Sequence, residues 1–273
     1  MSDTGKGRLA VVIGGGNGIG AATARILAER GWKLAIVDRD LDNAQAMAAE
    51  LNGRAWHGDV TDGAVMAGLA REIEATHAPP YALVVSSGTF QDSTIPAADA
   101  SHDDWERLIS VNLDGVFHAC KAFGSGMAER RQGAIVNIAS TSGMGGSPLF
   151  AYGPAKAAVI NLTECLAGEW GRAGVRVNAV SPGVTLVPRV RARMQAGARY
   201  RGNPGDSMAL GRAVEPPEVG ETVEFLLSDR ASAVTGVNIP VDCGWAAIRG
   251  WMLYGGTRPT STGPTSTGPA PGA

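Results

Sequence analysis

"RLAVVIGGGNGIG", residues 8–20, runs an unbroken apolar segment into a glycine-rich turn. The apolar half has strand length and no alternating polar positions, as expected for a strand covered on both faces of a sheet. The next segment, "GAATARILAERG" (residues 20–31), has the length and patterning of a helix. Gly14, Gly18 and Gly20 stand where the chain must turn tightly and let its backbone approach a pyrophosphate. The helix, expected to open near Ile19, adds free N–H groups and the positive end of its dipole. A tight strand–helix turn alone needs no ligand. Asp38 gives this one a direction. It lies about 20 residues on, at the end of the next strand-like run, "KLAIVDR" (residues 33–39).

Outward from this unit the same alternation repeats. Strand-like runs are expected at residues 54–60, 81–87, 133–140, 175–183 and 237–241, and helical stretches at 42–52, 63–76, 103–130, 151–170 and 218–228. Such alternation implies an α/β fold, a doubly wound parallel sheet with helices on both faces. Ligands then bind outside the carboxyl ends of the strands. No composition break divides residues 1–254, which are expected to form one domain. Residues 255–273 are rich in Gly, Pro, Ser and Thr, repeat "TSTGP", and are expected to be a disordered tail.

The 273 residues are 44% hydrophobic, with a formal charge of −2. No basic excess points to nucleic acid or to an anionic membrane. The longest early apolar run, residues 9–13, is too short for a signal peptide core or a membrane span. Cys120, Cys165 and Cys243, and His57, His77, His102 and His118, lack disulfide-framework or metal-ligand spacing. A soluble cytoplasmic protein without a structural metal is the expectation.

The chemistry gathers around "AYGPAK", residues 151–156, where Tyr152 and Lys156 lie one helical turn apart and share a face. A buried Tyr beside a solvated Lys would suffice for this hexapeptide alone. Ser140, however, ends a strand twelve residues earlier, and Asn112 lies inside the long helical region, where Asn is a poor choice. Exchange of a hydride at a carbonyl carbon requires one proton to move at the oxygen. An ammonium at ~4 Å in an effective dielectric near 20 contributes about 4 kcal/mol, enough to bring a phenol close to working pH. A Ser hydroxyl can hold the substrate oxygen where charge develops. Asp38 can accept hydrogen bonds from an adenosine ribose and would repel a 2′-phosphate, an effect that Arg39 partly offsets. Asp59, in "GDV", stands either near the adenine or as a helix N-cap.

"GGGNGIG", Asp38, "GDV", "NLDGVF", "GAIVNIAS", "YGPAK", "NAVSPG" and "TGVNIPVDCGW" occur in that order. Through them the chain resembles the short-chain dehydrogenase/reductase family from about residue 8 to residue 245. The resemblance implies a Rossmann-like sheet of about seven strands in a homotetramer or homodimer, and hydride exchange between NAD and a secondary alcohol or ketone. Tyr152 would be the acid/base, Lys156 would lower its pKa and hold the nicotinamide ribose, Ser140 would bind the substrate oxygen, and Asn112 would anchor a relay water. The cofactor would lie against Gly14, Asn17, Gly18, Ile19 and Gly20, then Asp38, Arg39, Asp59 and Val60. Beyond these come Ser87 and Gly88, Tyr152 and Lys156, and finally Pro182, Gly183, Val184 and Thr185.

Three departures from the family pattern affect the braces around the cofactor. Ile13 replaces a bracing Thr, Ser86 and Ser87 stand in an Asn-Asn-Ala-Gly position that keeps only Gly88, and Val187 stands where a Thr is common. Cys243 occupies a usual Gly position. Substrate contacts are expected from Ser142, Met144 and Phe150, with Trp245 a further candidate, and from a lid at about 185–215. The lid region carries Arg189, Arg191, Arg193, Arg199 and Arg201. A solvated helix face is the simpler reading of these arginines, and recognition of a carboxylate, phosphate or acyl-carrier group the other. An NADP-dependent 3-oxoacyl-type reductase and a non-catalytic NAD-binding regulator are the alternative functions.

Overall fold

A computed structural model describes residues 5–91, 96–197, 203–254 and 256. Among the described residues seven strands follow one another: β1 (Leu9–Ile13), β2 (Lys33–Asp38), β3 (Arg54–His57), β4 (Pro80–Val85), β5 (Gly133–Ile138), β6 (Val175–Pro182) and β7 (Asn238–Val241). They form one sheet in the order β3-β2-β1-β4-β5-β6-β7, and each neighbouring pair is parallel. The chain winds outward from β1 to β3, returns, and winds the other way from β4 to β7. This reversal opens a crevice between β1 and β4 at their carboxyl ends, where doubly wound sheets bind ligands.

The strands are apolar throughout because both faces are covered. Val11, Ile13, Leu83, Val85, Ile135 and Val177 pack on one side against α3 (Gly63–Thr76), α5 (Gly115–Glu129) and α6 (Tyr152–Trp170). Ala10, Val12, Ile36, Val84 and Val136 point to the other side. There they meet α1 (Gly18–Glu29), α2 (Leu41–Glu50) and α8 (Pro216–Leu227). Alternate residues of one strand thus feed two separate cores. No helix among the described residues is long and apolar enough to cross a membrane.

Several boundaries differ from the sequence expectation. The third strand ends at His57, so Gly58–Val60 form a loop at its carboxyl end. The single helix expected over 103–130 is α4 (His102–Ile109) and α5 joined by a π-helical turn, Ser110–Asp114. The helix after β3 is capped by Asp62, whose carboxylate accepts from the N–H groups of Ala64 and Val65, not by Asp59. Among its described residues the expected lid contains one short helix, α7 (Pro188–Gln195), and a 3₁₀ turn at Pro204–Ser207. Arg199, Arg201 and all of the expected tail except Gly256 lie outside the described residues.

Candidate active site

The Gly-rich turn is built by close backbone approach. Gly14 has φ 73°, and a Cβ there would come within 2.6 Å of the backbone N of Ser87. A Cβ on Gly20 would sit 2.0 Å from the carbonyl oxygen of Gly14, so the first turn of α1 packs directly on the loop. The helix opens at Gly18 with Asn17 as N-cap, the Asn17 Oδ1 accepting from Gly18 N–H at 2.7 Å. Asp38 accepts from Gly16 N–H at Oδ2 (3.0 Å) and from Asp40 N–H at Oδ1 (3.1 Å). Both carboxylate oxygens are thereby held in place, and each retains acceptor capacity.

These groups line one cavity of about 440 Å³. It runs from Gly14, Asn17, Gly18, Ile19, Asp38, Arg39, Asp59 and Val60, past Ser87 and Gly88, to Ser140, Tyr152 and Lys156. Pro182, Gly183, Val184 and Thr185 complete the wall expected from the sequence. Gly20 is not in the wall; it serves the turn from behind. Asp59 is held by the N–H and hydroxyl of Thr61, which lower its carboxyl pKa. The Ser87 hydroxyl is buried without a hydrogen-bond partner. A glycine-lined turn, a helix N-terminus, a fixed carboxylate and this orphaned hydroxyl along one elongated cavity fit a dinucleotide.

At the other end stand Ser140, Tyr152 and Lys156. Ser140, 8% exposed, leaves β5 in extended conformation and caps a 3₁₀ turn, its Oγ accepting from Ser142 N–H at 3.1 Å. With a lone pair so engaged, its own proton is free to reach a substrate oxygen. Tyr152 and Lys156 are the first and fifth residues of α6, both buried, with the Lys156 Nζ 5.8 Å from the phenol ring centroid. At that separation and an effective dielectric near 20, an ammonium and a phenolate attract by about 3 kcal/mol. The Lys156 Nζ also donates to Ile138 O at 2.8 Å, and burial lowers its pKa to about 8.

Asn112 is fully buried in the π turn and lies outside the wall. Its amide donates to Thr89 O and Leu108 O (both 2.9 Å) and accepts from Thr89 N–H (3.2 Å), so it splints the loop after β4.

The expected substrate residues do not reach the wall. Ser142 contributes its backbone N–H to Ser140, Met144 offers its carbonyl to Arg249, and Phe150 lies 37% exposed in the turn before α6. Trp245 also lies off the wall, with the Arg249 guanidinium over its ring. The cavity wall instead includes Thr89 and Phe90 from the loop after β4 and Val187, Pro188, Arg189 and Val190 from the lid. Arg191 is committed to Glu215, and Arg189 is the described lid arginine that lines the cavity. Cys243 is half-buried with φ 53°, a left-handed conformation that explains why glycine suits the position. Among the described residues no group of three or more His, Cys, Asp or Glu is arranged to hold a metal ion.

Comparison with known proteins points the same way as this geometry. The family model described as enoyl-(acyl carrier protein) reductase matches residues 14–246. A galactitol 2-dehydrogenase from Rhizobium johnstonii is 40% identical over 246 residues, covering 88% of this chain and 95% of that protein. Among solved structures, a chain from Brucella melitensis 16M described as ribose-5-phosphate isomerase superposes with a TM-score of 0.90 at 43% identity, over 93% of this chain and 98% of that one. A xylitol dehydrogenase with NAD⁺ bound gives a TM-score of 0.81 at 31% identity, over 88% and 99% of the two chains.

Proposed function

The chain belongs to the short-chain dehydrogenase/reductase family, and on that premise we propose that it oxidises one secondary alcohol of a polyol, or reduces the matching ketone, with NAD as its hydride carrier. It is an oxidoreductase of the CH–OH/C=O pair, like the alcohol dehydrogenases it resembles. The observation that carries the mechanism is the gathering of Ser140, Tyr152 and Lys156 at one end of a cavity whose other end is the glycine turn and Asp38.

The cofactor, when bound, takes up or gives back a hydride. The protein does the rest. Ser140 donates a hydrogen bond to the substrate oxygen and holds it beside the phenol. Tyr152 takes the hydroxyl proton as the carbinol carbon gives up its hydride, leaving a C=O group. Lys156 holds positive charge near the ring and so stabilises the phenolate that accepts this proton. Asn112 keeps the loop facing them fixed.

Asp38, whose carboxylate is fixed by two backbone amides at the end of β2, supports NAD over NADP, because a carboxylate there would repel a 2′-phosphate. The same residue weighs against the NADP-dependent 3-oxoacyl-type reductase. The intact Ser, Tyr and Lys set weighs against a regulator without turnover. An aldose–ketose isomerisation can proceed by proton shifts through an enediol and needs no hydride carrier, so that relative's described activity is not carried over. The galactitol and xylitol enzymes among the relatives support a polyhydroxylated substrate.

NADH formation across secondary alcohols, diols, sugar alcohols and hydroxy acids, with NADP in parallel, tests this reading. A sugar alcohol or diol should lead, with NAD preferred. Tyr152→Phe should bind NADH as the parent does and lose turnover by about 10²–10⁴-fold. Normal turnover in that variant would refute the assignment of the proton to Tyr152.

A further inference from the structure

The loop after β4 touches the start of α6 in two ways that the mechanism above does not use. The Phe90 ring stacks on the Tyr152 ring, centroids 5.0 Å apart and planes at 20°. One residue on, Gln91 Oε1 accepts from Ala151 N–H at 3.3 Å, at the N-cap position of α6. Ala151 makes no side-chain cap bond, so the first helical turn, which carries Tyr152, is steadied from this loop. The loop itself is well mounted. Asn112 bonds both the N–H and the carbonyl of Thr89, and Arg107 donates to the Thr89 hydroxyl at 3.1 Å.

The same ring meets the lid. The Arg189 guanidinium carbon lies 4.3 Å from the Phe90 centroid. Arg189 is in the first turn of α7, a helix with no buried residue of its own. Side-chain contacts near its N-terminal end help hold α7 in place. One is Arg189 on Phe90; others are Arg191 on Glu215 and on Leu186 O.

We propose that Phe90 is a positioning residue that links the lid to the acid/base: its ring is the shared surface on which the Arg189 guanidinium and the Tyr152 phenol both rest. Closure of α7 over the substrate and alignment of the phenol then depend on one ring. The link to turnover rests on the proposed role of Tyr152, and the link to the lid does not. The stack also sets what the cavity admits, because Phe90 occupies the space beside the phenol.

Phe90→Leu keeps apolar bulk and removes the ring; Phe90→Tyr keeps the ring. Hydrogen exchange of the α7 amides should quicken by about 5-fold in Phe90→Leu, as expected for loss of one cation–π contact. It should stay at the parent rate in Phe90→Tyr. Arg189→Gln should quicken it similarly and add little when combined with Phe90→Leu. With substrate, Phe90→Leu should raise KM by about 5-fold and lower kcat by about 10-fold. NADH affinity should stay within about 2-fold of the parent. Unchanged exchange in Phe90→Leu, or additive effects of the two substitutions, would overturn the lid contact. Faster exchange with parental kcat and KM would overturn the link to Tyr152. The exchange measurement needs no substrate, so a parent protein silent on every alcohol would sink the dehydrogenase reading and leave the lid contact still to be decided by it.

Discussion

At the scale of single residues, the group that costs most at this site is the Lys156 ammonium. It is 3% exposed, and burial takes its pKa from about 10.5 to about 8. That difference corresponds to roughly 3 kcal/mol of unfavourable charge burial. Below pH 8 folded and unfolded chains both carry the proton, and the full cost is present. Between pH 8 and 10.5 the unfolded chain binds more protons, so stability from this residue rises with pH. Lys156→Met should therefore gain most on the parent near pH 7, and that advantage should shrink by about 3 kcal/mol by pH 10.5. The orphaned Ile138 carbonyl offsets part of the gain at every pH. Denaturant melts of the apoproteins at pH 7, 9 and 10 measure it, and a difference independent of pH would contradict the buried charge. Turnover should be lost throughout. Lys156, Tyr152 and Ser140 were legible in the sequence because their relation is local: one helical turn, or a strand end and the helix after it. Ser142, Met144 and Phe150 are sequence neighbours of that set, but the 3₁₀ turn and the following loop carry them off the wall. Phe90 and Arg189 left no local signal. A lone ring in a loop and one arginine among five acquire their meaning only when β4, α6 and α7 converge.

At the scale of elements, the decisive junction is the one between β1 and α1. A Cβ on Gly20 would overlap the Gly14 carbonyl, an atom of backbone that cannot swing aside. Gly20→Ala should push α1 away from the turn, costing about 1–3 kcal/mol as overpacking does. It should also weaken NADH binding by about 10-fold or more by moving the helix N-terminus. Fluorescence titration and thermal melts would show both, and parental affinity would argue against a cradle formed at this junction. Elements of this kind read well from sequence, since buried parallel strands are unbroken apolar runs and glycines mark the turn. The π turn at Ser110–Asp114 did not. One extra residue in a helical turn hardly alters an amphipathic pattern over 103–130, and only Asn112, a poor helix former with a buried amide, marked the place. Asp59 read as either a neighbour of the adenine or a helix cap, and the cap of α3 is Asp62, three residues on.

For the whole molecule, the sheet order follows from short crossovers between parallel strands, and the reversal between β1 and β4 brings residues from every part of the chain to one crevice. The surface carries a second consequence. Trp105 on α4 and Phe117 on α5 remain 42% and 43% exposed on the helix pair that flanks the π turn. Large exposed rings on one helix pair suit a contact between subunits, and a homodimer or homotetramer is the assembly we propose. Sedimentation of the parent should give two or four times the monomer mass. Phe117→Glu places a charge where a ring would be buried, leaves the monomer core untouched, and should shift the mass toward one chain. Asn112 lies between the two rings along the chain, in the π turn that joins their helices, so a partner on those helices would stiffen that turn. Activity per chain should then fall together with the assembled mass, in Phe117→Glu and on dilution of the parent. A parent that sediments as a monomer at every concentration, with constant specific activity, would show that the splint on the Phe90 loop is complete within one subunit.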